Sequence, residues 1–422
     1  MKNTVIPIAG VVSLWAALFA TPVTAVELTI ACGAVGLERQ VCIDGANRWA
    51  QQTGHSVDVI ATPQSSTERL AMYQLLLRER HNTVDVFQID VIWPGLLGEY
   101  LLDLSPYVPD SSAFFPNLMA NNTVDDRLIA MPWYVDTGLL YYREDLLEQY
   151  GHPVPQTWNE LEAIATDVQR GERSQNGNFW GYVWQGNDYE GLTCNVMEWL
   201  VSNNGGTVVD ASGVVTLDND RASDIIGQAA SWIDTISPPA VLDYQEEDAR
   251  AHFEAGNALF MRNWPYAWRL ANEPESKVAG KVGVTVLPRG ETGAPSGALG
   301  GWQLAVTQAT RYPNLSVDLV RFLTSEGEQR RRAEFGYLPT RTALYQEAEL
   351  TRDNAVFAPV GQALENVAVR PSSATGRTYK YVSRYLSGEV HEVLRGNKAA
   401  PEALASITDR IVERGLGELQ RP

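Results

Sequence analysis

The chain is 422 residues long, 45% hydrophobic and 9% aromatic, with 51 acidic against 33 basic side chains and a formal charge of −18 at pH 7. That balance repels nucleic acid and anionic lipid surfaces, and the apolar content excludes a disordered chain. A length of roughly 400 residues exceeds what one hydrophobic core usually holds, so two domains are expected.

Lys2, the apolar run from Val5 to Ala20 and the tripeptide Val23-Thr24-Ala25 have the layout of a secretory signal peptide cleaved after Ala25. The run contains Pro7 and Gly10 and is shorter than the ~20 residues of a membrane span. A soluble, exported protein is expected. Cys32 does not occupy a lipoprotein position, because Glu27 separates it from the apolar run. In an oxidising compartment Cys32 and Cys42, on a strand end and a neighbouring helix, could pair and leave Cys194 over; three buried free thiols are the alternative that spacing leaves open. Neither the cysteines nor the five scattered histidines form a zinc pattern, so no metal and no other cofactor is expected.

Val26 to Cys32 alternates like a strand, Arg39 to Gln52 reads as a helix, and Ser56 to Ala61 as a second strand. A helix from Ser66 to Arg80 then leads to the short apolar strand Asp85 to Asp90 and the turn-prone Trp93-Pro94-Gly95. This β-α-β order predicts a parallel sheet with covering helices. Leu128 to Val135 and Gly138 to Tyr142 are strand-like, and a helix runs on to Tyr150. Thr157 and Glu160 form a capping box ahead of an apolar-periodic helix. Strands are expected at Trp180 to Trp184, Ala258 to Met261, Val282 to Leu287 and Trp302 to Val306, with helices around Val196 and Ile226. The C-terminal stretch is helical, most clearly from Tyr379 to Leu394 and from Pro401 to Gly415. No low-complexity linker is present, so the two domains are expected to be joined by several short crossings.

Trp264, Tyr266 and Trp268 cluster around Pro265, a residue suited to the first turn of a helix. Trp264 is thus expected between a strand's carboxyl end and a helix, the edge where open α/β sheets bind ligands. Glu38 after the first strand, Asp90 ending the third, Tyr134 and Asp136 ending the next, and Trp302 opening a strand after Gly300-Gly301 fall in similar places. An aromatic face beside carboxylates and arginines suits a sugar: pyranose C–H patches lie on the rings, and hydroxyls donate to Asp or Glu and accept from Arg. Taken singly, these residues have plainer readings. A tryptophan is more often core, and Trp268 is assigned there; a strand-end Asp90 is more often a cap; Arg69 is an ordinary helix-surface charge. Their joint placement favours a site.

These residues fall within Asp85-Val-Phe-Gln-Ile-Asp90-Val-Ile-Trp-Pro-Gly95, Met131-Pro-Trp-Tyr134-Val-Asp136, Arg262-Asn-Trp264-Pro-Tyr266-Ala-Trp268 and Leu299-Gly-Gly301-Trp302-Gln303. Over these motifs and most of its length the chain resembles the carbohydrate-binding proteins of ABC importers, in particular the trehalose/maltose-binding type. The resemblance implies an α/β fold of the two-lobed type II periplasmic-binding-protein class, each lobe a mostly parallel sheet flanked by helices and joined by a hinge. The lobes would comprise residues 26–136 plus about 302–345, and 137–301 plus about 346–422. By residue-wise match it implies ligand contacts from Glu38, Arg69, Asp90, Tyr134, Asp136, Trp264, Gly301, Trp302 and Arg370, with Tyr266 added by proximity. Gly336 to Arg341 matches a segment read as structural.

The implied function is a monomeric periplasmic receptor, not an enzyme, that captures trehalose, maltose or sucrose and presents it to the membrane permease subunits of an ABC importer. Trp264 and Trp302 would stack on the rings, Glu38, Asp90 and Asp136 would accept, and Arg69 and Arg370 would donate. ATP hydrolysis falls to the partner, since the chain has no phosphate-binding Gly-x-x-x-x-Gly-Lys loop. Two other readings remain at this stage: a glycoside hydrolase using Asp90 and Asp136 as its carboxylate pair, and a sugar sensor for a membrane receptor.

Overall fold

A computed structural model describes residues 25–34, 36–79, 83–108, 111–210, 214–352 and 354–413. The signal-peptide reading therefore lies outside the described residues, apart from Ala25. The described strands are β1 (Glu27–Ala31), β2 (Ser56–Ile60), β3 (Val86–Asp90), β4 (Thr123–Val124), β5 (Arg127–Leu128), β6 (Met131–Thr137), β7 (Leu139–Arg143), β8 (Trp180–Val183), β9 (Ala258–Asn263), β10 (Val282–Val286) and β11 (Leu299–Val306). They form a five-stranded sheet in the order β2-β1-β3-β11-β6, a four-stranded sheet in the order β10-β7-β9-β8, and a small β4-β5 pair.

The expected parallel sheets are mixed. β1 runs parallel to β2 and β3, whereas β11 is antiparallel to both β3 and β6. In the second sheet β8 and β9 are parallel, and β7 is antiparallel to β9 and β10. Each sheet is thus mixed rather than mostly parallel, with one strand reversed relative to the others. The reversed strands sit where the chain passes between sheets: β6 continues through Gly138 straight into β7, and β11 brings the chain back. A strand that enters without a helical crossover has no constraint to run parallel.

Insertion of β11 between β3 and β6 has a direct consequence for the site. Register pairs Trp302 with Asp90 on one side and with Tyr134 on the other, and Gly300 with Asp136. Residues more than two hundred positions apart in sequence therefore stand in one row across the sheet. Trp302 lies in the middle of β11, not at its start as expected, because pairing with β6 begins at Leu299. The β11–β6 register shifts between Trp302 and Gln303, a local bulge of the kind that re-aims side chains.

The core separates the tryptophans by role. Trp49, Trp93, Trp133, Trp158, Trp184, Trp199 and Trp232 are fully buried, while Trp264 and Trp302 are only partly so. Trp268, expected in the core, is half-buried at the edge of a cluster with Ala267, Ala271 and Leu338, because its helix is the single short turn Ala267–Ala271. Pro265 lies in the turn before that helix, where the Ala267 N–H donates to the Trp264 carbonyl at 3.1 Å. The Thr157–Glu160 capping box is present. Of the two cysteine alternatives, the structure has Cys32 and Cys42 joined by a disulfide, with Cys194 a buried thiol.

Candidate binding cleft

Between the two sheets lies a cavity of about 1030 Å3, counted out to its mouth. All ten residues singled out from sequence line it: Glu38, Arg69, Asp90, Tyr134, Asp136, Trp264, Tyr266, Gly301, Trp302 and Arg370.

One wall is the row Asp90, Trp302 and Tyr134 on β3, β11 and β6. Gly301 holds φ +119, and a Cβ there would stand 2.4 Å from the Tyr134 carbonyl oxygen, so no side chain fits where β11 meets β6. Trp302 packs edge-to-face on Trp93 at 5.5 Å. The Arg69 guanidinium lies over the Trp302 ring at 4.4 Å, a cation–π contact. Arg69 is not a surface charge: it is 2% exposed, donating from Nε to the Pro63 carbonyl at 3.1 Å and from Nη1 to Glu38 at 3.4 Å.

Glu38 projects from the first turn of the Gly36–Thr53 helix. Its Oε2 accepts from the Ala34 N–H at 2.8 Å and its Oε1 from Gln88 Nε2 at 2.8 Å. Burial alone would raise its pKa, but the Arg69 charge and the bonds from Ala34, Gln88 and Arg69 outweigh it and hold the carboxyl below its usual range. Glu38 is an ionised acceptor. Asp136 differs. It is 6% exposed, its Oδ1 is buried without a hydrogen-bond partner, and burial, helped by the charges of Glu38 and Asp90, pushes its pKa up to about 8. With that pKa Asp136 is mostly protonated at neutral pH, where an ordinary aspartate is ionised.

Arg370 is also already engaged. Its Nη2 donates to Asp90 Oδ1 at 3.0 Å and to the Leu299 carbonyl at 3.1 Å, and its Nη1 to Glu190 Oε1 at 2.9 Å. Burial opposes the charge, but Asp90 and Glu190 raise the guanidinium pKa well above its ordinary value. Glu190, at the start of the Glu190–Ser202 helix, accepts from Tyr379 and Ser383 at 2.5 Å each, and its backbone N–H donates to Thr67 Oγ1 at 3.2 Å. This cluster links the five-stranded-sheet side, through Asp90 and Thr67, to the opposite wall.

That opposite wall is built on Trp264. The Arg262 guanidinium lies over its ring at 4.1 Å, itself paired with buried Glu198 at 2.5 Å and 3.0 Å. The indole Nε1 donates to Glu246 at 3.3 Å. Tyr266 donates to Glu247 at 2.7 Å and stacks on Tyr337 with ring centroids 6.4 Å apart.

Sequence reasoning missed Glu190, Glu246, Glu247, Arg250 and Tyr337, all of which line the cavity. Acidic residues in a helix's first turn are ordinary there, so Glu246 and Glu247 carried no signal. Tyr337 belongs to the Gly336–Arg341 segment read as structural; it reaches the cavity because it packs edge-on to Tyr134 at 5.0 Å. The lining holds six carboxyls, Glu38, Asp90, Asp136, Glu190, Glu246 and Glu247, against the three guanidiniums of Arg69, Arg250 and Arg370. Such a lining disfavours anionic ligands and favours a neutral one rich in donors. Among the described residues no group of three or more His, Cys, Asp or Glu has a metal-ligating arrangement.

Residues 44–330 match the sequence pattern of a family described as bacterial extracellular solute-binding protein. Over 398 residues the chain is 44% identical to a probable ABC transporter-binding protein of Deinococcus radiodurans, covering 93% of this chain and 95% of that one. It is 26% identical over 277 residues to the maltodextrin-binding protein MdxE of Bacillus subtilis, covering 64% of this chain and 63% of that one. Its fold superposes with a TM-score of 0.87 on maltose-bound MalE3 of T. maritima, at 36% identity, covering 92% of this chain and 100% of that structure.

Proposed function

The chain belongs to the bacterial extracellular solute-binding protein family, and on that premise we propose that its cleft captures an α-glucosidic disaccharide, such as trehalose, maltose or sucrose, for the membrane permease of an ABC transporter. One observation carries the reading: Trp264 and Trp302, each with an arginine over its ring, face one cavity together with Glu38 and Asp136. Flat aromatic surfaces match pyranose C–H patches, and carboxyl oxygens match hydroxyls. The maltose held by MalE3, a relative of 36% identity, supports the ligand class.

In this reading Trp264 and Trp302 stack on the two rings, and Glu38 and Asp136 accept hydroxyl hydrogen bonds. Asp90 and Arg370 act as a pair, Arg370 offering its Nε, which is buried without a partner. Tyr134, Tyr266 and Gly301 shape the walls, and Arg69 orients Trp302 and Glu38. The lobes, residues 26–136 plus about 302–345 and 137–301 plus about 346–422, close about the crossings near Asp136 and Gly301. Closure is favoured because sugar touches both walls only in the closed form. The protein acts as an exported monomer, its leader cleaved after Ala25.

The test is intrinsic tryptophan fluorescence titrated with trehalose, maltose, sucrose, glucose and β-linked cellobiose, each mixture then assayed for released glucose. Saturable change with α-disaccharides and no glucose release is the expected result; no response to any sugar overturns the reading. Glucose release would instead support hydrolysis through the Asp90 and Asp136 carboxyls, both of which line the cavity.

A further inference from the structure

The disulfide spans a sequence separation of only 10, between Cys32 just after β1 and Cys42 in the Gly36–Thr53 helix, with Cα atoms 6.3 Å apart and both cysteines buried. Within that span lie Ala34, Gly36, Leu37 and Glu38, all lining the cavity. The backbone there takes an unusual path: Gly33 has φ +65 and Gly36 φ +52. A Cβ on Gly33 would stand 2.4 Å from the Arg39 Cα, so the chain folds tightly back on the helix start. Two glycines in left-handed conformation give a turn that is entropically costly to fix.

The turn is also wired to the ligand wall. The Gly33 N–H donates to Gln88 Oε1 at 2.6 Å, Gln88 Nε2 donates to Glu38 at 2.8 Å, and Glu38 accepts from the Ala34 N–H at 2.8 Å. Gln88 Nε2 reaches the Tyr134 hydroxyl at 3.0 Å as well. The position of Glu38 thus depends on the turn's backbone, and the disulfide closes the turn at both ends.

We propose that the Cys32–Cys42 disulfide is a positioning device for the ligand site, holding the turn that presents Glu38 in its binding geometry before ligand arrives. The inference rests on the cleft being the sugar site. Its energetic logic is preorganisation: a cross-linked turn spends little conformational entropy on binding.

The experiment compares wild type with the Cys32→Ser/Cys42→Ser double variant, in the full mature chain. Hydrogen exchange at Gly33, Ala34 and Glu38 is expected to quicken in the variant while β3 and β11 stay protected; unchanged exchange in the turn overturns the proposal without reference to any sugar. Calorimetric titration with trehalose and with maltose is expected to show about tenfold weaker binding. That loss should vanish when both proteins also carry Glu38→Gln and persist when both carry Tyr266→Phe. Equal loss in all backgrounds, or no loss, overturns it. Should the serine pair fail to fold, Cys32→Ala/Cys42→Val and brief phosphine reduction of folded wild type provide the same comparisons. Failure of wild type to bind either sugar while the turn still loosens would sink the sugar reading and, with it, the link from turn to affinity.

Discussion

Replacing Asp136 by asparagine tests the electrostatics of the cleft most directly. The Asp136 carboxyl has an ordinary pKa of 3.8 and one of about 8 in the folded cleft, chiefly through burial, then through Glu38 and Asp90. Between those values the folded protein holds a proton that the unfolded chain has released. The sign follows: the unfolded state binds fewer protons, so this group makes stability fall as pH rises from about 4 to about 8. At about 1.4 kcal/mol per pH unit, the ceiling is roughly 5–6 kcal/mol. Water entry and local relaxation reduce it, so roughly 2–4 kcal/mol is the realistic size.

Asparagine keeps the shape and cannot ionise. Denaturant unfolding of both proteins at pH 5 and pH 8.5 is therefore expected to show the variant's advantage growing by roughly 1.5–3 kcal/mol between the two, since about three of the four pH units of the window lie between them. Titrating groups that do not interact with Asp136 cancel in the difference. A difference that does not change with pH would refute the raised pKa. Binding follows the same logic. A sugar hydroxyl donates to the carboxylate only after the Asp136 proton leaves, so wild-type affinity should rise with pH between about 6 and 8 with proton release into the buffer, while Asp136→Asn should show neither effect.

Three further outcomes are expected. Trp264→Ala should weaken α-disaccharide binding by about a hundredfold or more yet cost only about 1–2 kcal/mol of stability, because the ring is only partly buried at the cavity wall; a fluorescence titration beside a denaturation curve checks both, and a large loss of stability would make Trp264 core. Gly301→Ala should destabilise by about 2 kcal/mol or more, since φ +119 and the 2.4 Å approach to Tyr134 leave no room for a Cβ; a denaturation midpoint within error of wild type would refute this. Arg262→Met should cost about 3–5 kcal/mol by stranding the Glu198 charge, and Arg262→Met/Glu198→Met should recover much of that; additive losses in the double variant would show that packing, not charge, dominates.

The sequence showed where these strands lie, because short apolar runs between turn residues are local signals. Ser56–Ile60, Val86–Asp90 and Ala258–Asn263 lie close to where such runs put them. Register was not legible. That Trp302 stands between Asp90 and Tyr134 depends on β11 entering antiparallel between two strands, and no property of residues 299–306 alone says so. The cleft's family-matched residues were legible through motifs, but Glu190 and Glu246 were not, since an acid in a first helical turn looks the same whether it faces a cavity or solvent. The charge state of Asp136 was not legible for a related reason: ionisation is set by burial and by Glu38 and Asp90, which are distant in sequence.

The arginines carry the argument about ligand chemistry one step further. Read from sequence, Arg69 and Arg370 were donors for sugar oxygens. In the folded cleft Arg69 is taken by Glu38, Pro63 and the Trp302 ring, and Arg370 by Asp90, Glu190 and Leu299. These contacts use five of the ten N–H donors of the two guanidiniums, and the buried Nε of Arg370 has no partner. The buried unpaired groups that line the cleft are mixed: the Arg370 Nε, the Tyr337 hydroxyl and Oδ1 of Asp136. A ligand that completes this cleft must bring hydroxyls, which both donate and accept, and it must bring no negative charge to a lining of six carboxyls and three guanidiniums. A neutral disaccharide meets both conditions; a sugar phosphate or a uronic acid fails the second. Calorimetry with trehalose and trehalose 6-phosphate separates them, and tighter binding of the phosphate would refute this account of the cleft.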